Sequence, residues 1–274
     1  MKRSLMTAGL MLLGSAALFA HDFWLVPNAF LLAPGAELVV DGRTSSSFPS
    51  SLSAVTVDRV AEARILSASA STDIEDLSVH ETSLRLRHRV SAAGQLVVAV
   101  RIHPRNIPES AESFRHYLAL EGAPELLERY EQEGLLPDDS ITRRYAKYAK
   151  VLVETGRHGP RAYARLASHP LEFKPMIDPT GALPDETLAL QLLFEGEPLG
   201  LAKIHAGLAA SARDSAPSWD ETFYTDSNGV VEIPVDRKGI WNVRALHIVP
   251  ARPGSGADWD VHWATFVFSR DGDD

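Results

Sequence analysis

In the run Ser83-Leu84-Arg85-Leu86-Arg87-His88-Arg89-Val90, Leu84, Leu86, His88 and Val90 alternate with polar or charged residues. A period of two is what a strand with one buried and one wet face imposes, and it rules out a helix there. Gly94 marks a turn before Leu96-Val97-Val98-Ala99-Val100, a β-branched run suited to a buried strand. Pro104 and Pro108 close this first β region. The period then changes. Over residues 109–133, Phe114, Tyr117 and Leu118, then Leu126, Leu127 and Tyr130, recur at helical spacing. Over 140–156 the spacing of Ile141, Tyr145, Tyr148, Ala149 and Leu152, between a Ser140 cap and a Gly156 stop, predicts a further helix. Strand patterns return in Thr187–Phe194, Val230–Val235, Gly239–Val249 and Val261–Phe268. Short strands between turn signals predict a mainly β protein with two β-sandwich-like parts and a helical insertion at about 109–156. The predicted divisions are a leader over 1–20, an N-terminal β domain over 21–168 and a C-terminal β-sandwich over 169–274. Asp226-x-Asn228-Gly229 lacks the distal Glu of a calcium loop and reads as a hairpin turn.

Residues 1–20 place Lys2-Arg3 before an apolar run from Leu5 to Phe19 and a small Ala20, the pattern of a cleaved export signal. Cleavage after Ala20 makes His21 the first residue of the mature chain; cleavage after Ala17 is the alternative. The expected location is the periplasm. Net charge is −9; removing Lys2 and Arg3 leaves 25 basic against 36 acidic residues, or −11. An acidic chain with no basic run excludes a general nucleic-acid binder. The absence of cysteine excludes thiolate metal sites, thiol nucleophiles and disulfide scaffolds.

Enzyme signatures are missing: there is no G-x-S-x-G elbow, P-loop or H-E-x-x-H helix, and the chain reads as a non-enzyme. Histidine is the informative residue type, with ten in the chain. His205 is expected at an exposed strand position, His116 on a polar helix side, His158 and His169 in loops, and His88 as a core residue. His247 shares the apolar parity of Trp241, Val243 and Ala245 and is a candidate ligand. His21 stands directly before Asp22-Phe23-Trp24. As an N-terminal residue it offers an amine, whose ordinary pKa is near 8, and an imidazole to one ion. One further histidine would complete a nitrogen-rich site suited to nickel or copper.

Ala20-His21-Asp22-Phe23-Trp24-Leu25 resembles the opening of a family of exported bacterial domains of unknown function. Members are commonly described as periplasmic components of nickel or cobalt uptake systems. The resemblance continues through Phe114, Tyr117-Leu118 and Glu121-Gly122, through Arg144-Tyr145 to Lys150, and through Leu193 to Leu199. It closes with Thr225-Asp226, Gly229, Gly239-x-Trp241 and Ala257-Asp258-Trp259 to Thr265. Residues 197–245 also resemble carboxypeptidase-regulatory-like, transthyretin-type sandwiches. The family pattern has histidines at the places of His21 and His247. With Asp258 and His103, which lacks a matching family histidine, these are the candidate metal ligands. The resemblance implies a periplasmic accessory protein for Ni, Co or Cu, working with an inner- or outer-membrane metal transporter. His247 is then expected near the mature N-terminus. Two alternatives are a metal-free envelope interaction module, docking through Arg143, Arg144, Lys147 and Lys150, and a copper enzyme with an N-terminal His chelate.

Overall fold

The computed structural model describes residues 21–270 apart from 123, 137, 157 and 218; the leader expected over 1–20 lies outside them. The chain opens with β1 (Asp22–Pro27), β2 (Leu31–Leu32) and β3 (Glu37–Ser45). Then come β4 (Val60–Leu66), β5 (Ser71–Asp73), β6 (Asp76–His80), β7 (Ser83–Arg89) and the long β8 (Gly94–Ser110). Helices α1 (Ala111–Glu121) and α2 (Pro124–Gln132) lead into β9 (Ser140–Thr155). Next are β10 (Leu171–Pro175), β11 (Thr187–Phe194), β12 (Glu197–Pro198) and β13 (Lys203–Ala209). β14 (Trp219–Tyr224), β15 (Val230–Pro234), β16 (Gly239–Pro250) and β17 (Trp259–Arg270) complete the order.

These strands form three layers. The middle one is a nine-stranded sheet in the order β14-β13-β16-β17-β9-β8-β4-β5, with β2 alongside β9. Its pairings are antiparallel except β17 with β9 and β2 with β9. One face carries Val98, Val100, Val151, Val153 and Val267 against the four-stranded sheet β1-β3-β7-β6. The other carries Val97, Leu152, Ile204, Val243 and Phe266 against β10, β11 and β15. Phe114, Leu118, Tyr130, Trp259 and Trp263 form a third cluster where α1 and α2 pack. Ser110 caps α1 by accepting from Ser113 N–H at 3.1 Å. β1 is buried throughout; Phe23, Trp24, Leu25 and Val26 are each at most 1% exposed. Each such side chain contributes about 1.5–3 kcal/mol, so the first strand is firmly seated.

The protein is mainly β with a small helical insertion, as its alternation predicts. Three expectations are corrected. Residues 140–155 form β9, not a helix, because β9 is covered on both faces and the period-two contrast is lost there. The two β parts expected on either side of residue 168 share the middle sheet, where β17 lies beside β9 with Trp259 opposite Arg143. Asp226 Oδ1 accepts from Asn228 and Val230 N–H, both at 2.8 Å, so a turn forms. It carries the chain from the middle sheet to the β11 sheet and is no hairpin.

Candidate functional site

The start of β1 is held by three other strands. Lys147 of β9 donates from Nζ to the His21 carbonyl. Arg244 of β16 lies 3.5 Å from the Asp22 carboxylate, and Thr265 of β17 donates to the Phe23 carbonyl at 2.7 Å. His21 is therefore fixed at the edge of a groove of about 440 Å³, beside Thr44, Asp58, Arg59, Tyr145 and Lys147. Burial pushes the Asp22 carboxyl up to about 6 against the pull of Arg244. Burial also pushes Lys147 down to about 8, with Asp22 opposing. Behind Asp22 is a small chamber of about 40 Å³ that Trp24, His205, Asp220 and Asn242 also line. Asp22 Oδ1, Trp24 Nε1 and Asn242 Oδ1 are buried there without hydrogen-bond partners among the described residues, and the space suits a few waters. His205, expected to be exposed, is half-buried; Thr222 Oγ1 is 3.2 Å from its Nδ1, and burial, then Arg244, push its pKa to about 3.

A second polar group occupies the opposite face of the middle sheet. His247 of β16 is the register partner of His262 of β17. Phe194 meets both rings edge-on, at centroid distances of 4.4 and 5.1 Å. The Tyr148 hydroxyl is 2.9 Å from His262 Nδ1. Burial lowers both imidazoles to about 4. His169 lies beyond Tyr148, with ring centroids 5.5 Å apart, and neither of its ring nitrogens has a partner among the described residues.

The four sequence-derived candidates do not converge. His21 and His247 are separated by the sheet: Arg244, which meets Asp22, and His247 differ by three positions along one strand and so point to opposite faces. The two side chains therefore face away from each other across the sheet. His103 sits exposed at the irregular stretch of β8 between Ile102 and Arg105, lining a groove of about 370 Å³ with Tyr148, Asp260 and His262. Asp258 is exposed in the loop before β17, where its carboxylate accepts from Thr142 N–H at 2.7 Å and pins that loop to β9. Among the described residues no three His, Asp or Glu side chains gather to hold a metal ion. The basic residues offered as a docking face are engaged internally. Arg143 pairs with Glu109 at 2.5 Å, Arg144 with Asp260 at 2.7 Å and Lys150 with Glu172 at 3.0 Å. His262 and Tyr148 escaped the sequence reading. Only the pairing of β16 with β17 reveals them, since nothing local marks Val261-His262-Trp263.

The architecture defines a class: a three-layer, predominantly antiparallel β protein whose first strand is clamped by the central sheet. The chain belongs to the family described as Domain of unknown function (DUF4198), whose model matches residues 18–249. No curated protein matches it. Among solved structures, a Salmonella alpha-2-macroglobulin shares 10% identity and a TM-score of 0.24, over 92% of this chain and 15% of that one. The human OSCAR ligand-binding domain shares 9% identity and a TM-score of 0.20, over 90% and 97%. Murine CEACAM1b shares 11% identity and a TM-score of 0.21, over 92% and 100%.

Proposed function

We propose that the protein is an exported, periplasmic accessory protein for a divalent transition metal, nickel, cobalt or copper, that exchanges its ion with a membrane transporter. Its chelator is His21 as the first residue of the processed chain. The observation that carries this reading is the clamping of β1 by Lys147, Arg244 and Thr265, which holds His21 at a groove instead of leaving it to fray. Amine and imidazole on one anchored residue give two nitrogen donors at high effective concentration. With Asp58 among the groove residues, the donor set fits a borderline ion better than magnesium or calcium. The charges set a condition. Asp58 is outnumbered by Arg59, Arg105 and Lys147, so a bare dication is repelled and an ion carrying an anionic coligand is favoured. His247, across the sheet, has no part in this chelate.

Calorimetric titration of Ni(II) and Cu(II) into the processed protein tests the reading. His21→Ala removes one of two tethered donors and should weaken the tightest site about tenfold or more, about 1.4 kcal/mol. His247→Ala should leave that site unchanged. An unchanged tightest site in the His21 variant would overturn the reading.

A further inference from the structure

We propose that His247 and His262 form a second chelate for a borderline divalent ion, of which Cu(II) is the best-bound, on the sheet face opposite His21. The inference stands apart from the His21 reading because the two places share no residue and lie on different faces of the middle sheet.

Four observations carry it. First, His247 and His262 are direct partners in an antiparallel pair, which places their side chains on one face with Cβ atoms about 4.5–5.5 Å apart. Two imidazoles at that separation can reach one ion at about 2.0–2.1 Å per bond. Second, their neighbours on the same face are apolar: Trp241, Val243 and Ala245 along β16, and Ala264, Phe266 and Phe268 along β17. Packing alone would fill this register with two more apolar side chains, whereas imidazoles in a partly buried place need partners. Third, the Tyr148 oxygen beside His262 Nδ1 supplies what a metal-binding imidazole needs behind it. In the tautomer whose Nδ1–H donates to that oxygen, Nε2 is left with a free lone pair. The single aromatic ring of Phe194 meets both imidazoles and limits their rotation. Fourth, His262 borders the groove shared with His103 and Tyr148, which gives an ion a way in from solvent.

The remaining coordination positions fall to water or a small anion. Asp260 is not a third ligand, because both its oxygens are taken by Arg144, at 2.7 and 2.8 Å. Two protein ligands also agree with the absence of any three-residue group among the described residues. Nitrogen donors alone select against calcium and magnesium.

The test uses the full exported chain carrying His21→Ala and retaining Ala20, so that neither donor of the first site remains. Cu(II) titration followed by electron paramagnetic resonance should show one bound ion with hyperfine structure from two imidazole nitrogens. His247→Ala and His262→Ala should each weaken binding about tenfold or more, and Tyr148→Phe, which keeps the ring but not the hydroxyl, also by about tenfold. As a check independent of folding in the variants, substoichiometric Cu(II) should broaden the ring resonances of His247 and His262 before those of the other histidines. Earlier broadening elsewhere, or folded His247 and His262 variants that bind as tightly as their parent, would overturn the proposal. So would failure of the His21-free chain to bind. Failure of the His21 reading would appear separately, as equal affinity with and without that residue.

Discussion

A buried imidazole is cheapest when neutral, and His169 carries that rule furthest in this protein. It is 4% exposed, neither ring nitrogen has a partner among the described residues, and burial, with Lys150, Arg64 and Arg101 adding to it, pushes its pKa to about 3. The unfolded chain, with an ordinary value near 6.5, therefore binds the proton more readily, and stability is lost as pH falls below 6.5. At pH 5 this residue alone costs about 2 kcal/mol. Replacement by Phe keeps a planar ring and removes the titration without breaking any hydrogen bond. His169→Phe should match the parent in urea unfolding at pH 7.5 and exceed it at pH 5; equal acid sensitivity would show that the ring is solvated after all. At this scale the sequence was informative where a signal was local. His21 and His247 stood out by position and parity. His262 did not, because its significance comes from the strand hydrogen-bonded beside it, and His169 did not, because a residue before Pro170 reads as a solvated loop until the layers close over it.

Among the elements, β9 shows why hydrophobic period sometimes misleads. Residues from Lys147 to Val153 are all buried, so charged and apolar side chains alternate between two covered faces. Lys147 reaches the His21 carbonyl on one face, and Lys150 reaches Glu172 on the other. Read alone, such lysines look like the wet side of a helix. β7, β11 and β16 were legible because their alternation or β-branched runs survive folding unchanged. β1 carries the proposed chelator at its start, and its seat depends on Gly42 of β3. A Cβ there would lie 2.9 Å from two ring atoms of Phe23, which is 1% exposed. Gly42→Ala should force that ring aside at a cost of about 1–3 kcal/mol. Because Phe23 adjoins Asp22 and His21, metal affinity should fall along with stability. A variant with lowered melting temperature and unchanged affinity would separate the strand's seat from the site.

Across the whole molecule, the central sheet divides the chemistry. One face receives the N-terminal strand, with His21 at a groove rich in cations; the other holds the paired imidazoles of β16 and β17 against Phe194. This partition was invisible in the sequence, which placed His21 and His247 in one site. Which residues share a face across several strands is fixed only by register, and the 17 strands among the described residues allow many registers. In the proposed function the ion is bound by the free amine of His21. Titrating Co(II) into two proteins that differ by one residue, the chain beginning at His21 and the chain beginning at Ala20, checks this without interference from amide deprotonation. The extra residue converts the His21 amine to an amide, which Co(II) does not deprotonate at neutral pH, and leaves every side chain in place. The tightest site should be present in the first protein and weakened about tenfold or more in the second; equal affinity in the two would refute a terminal chelate.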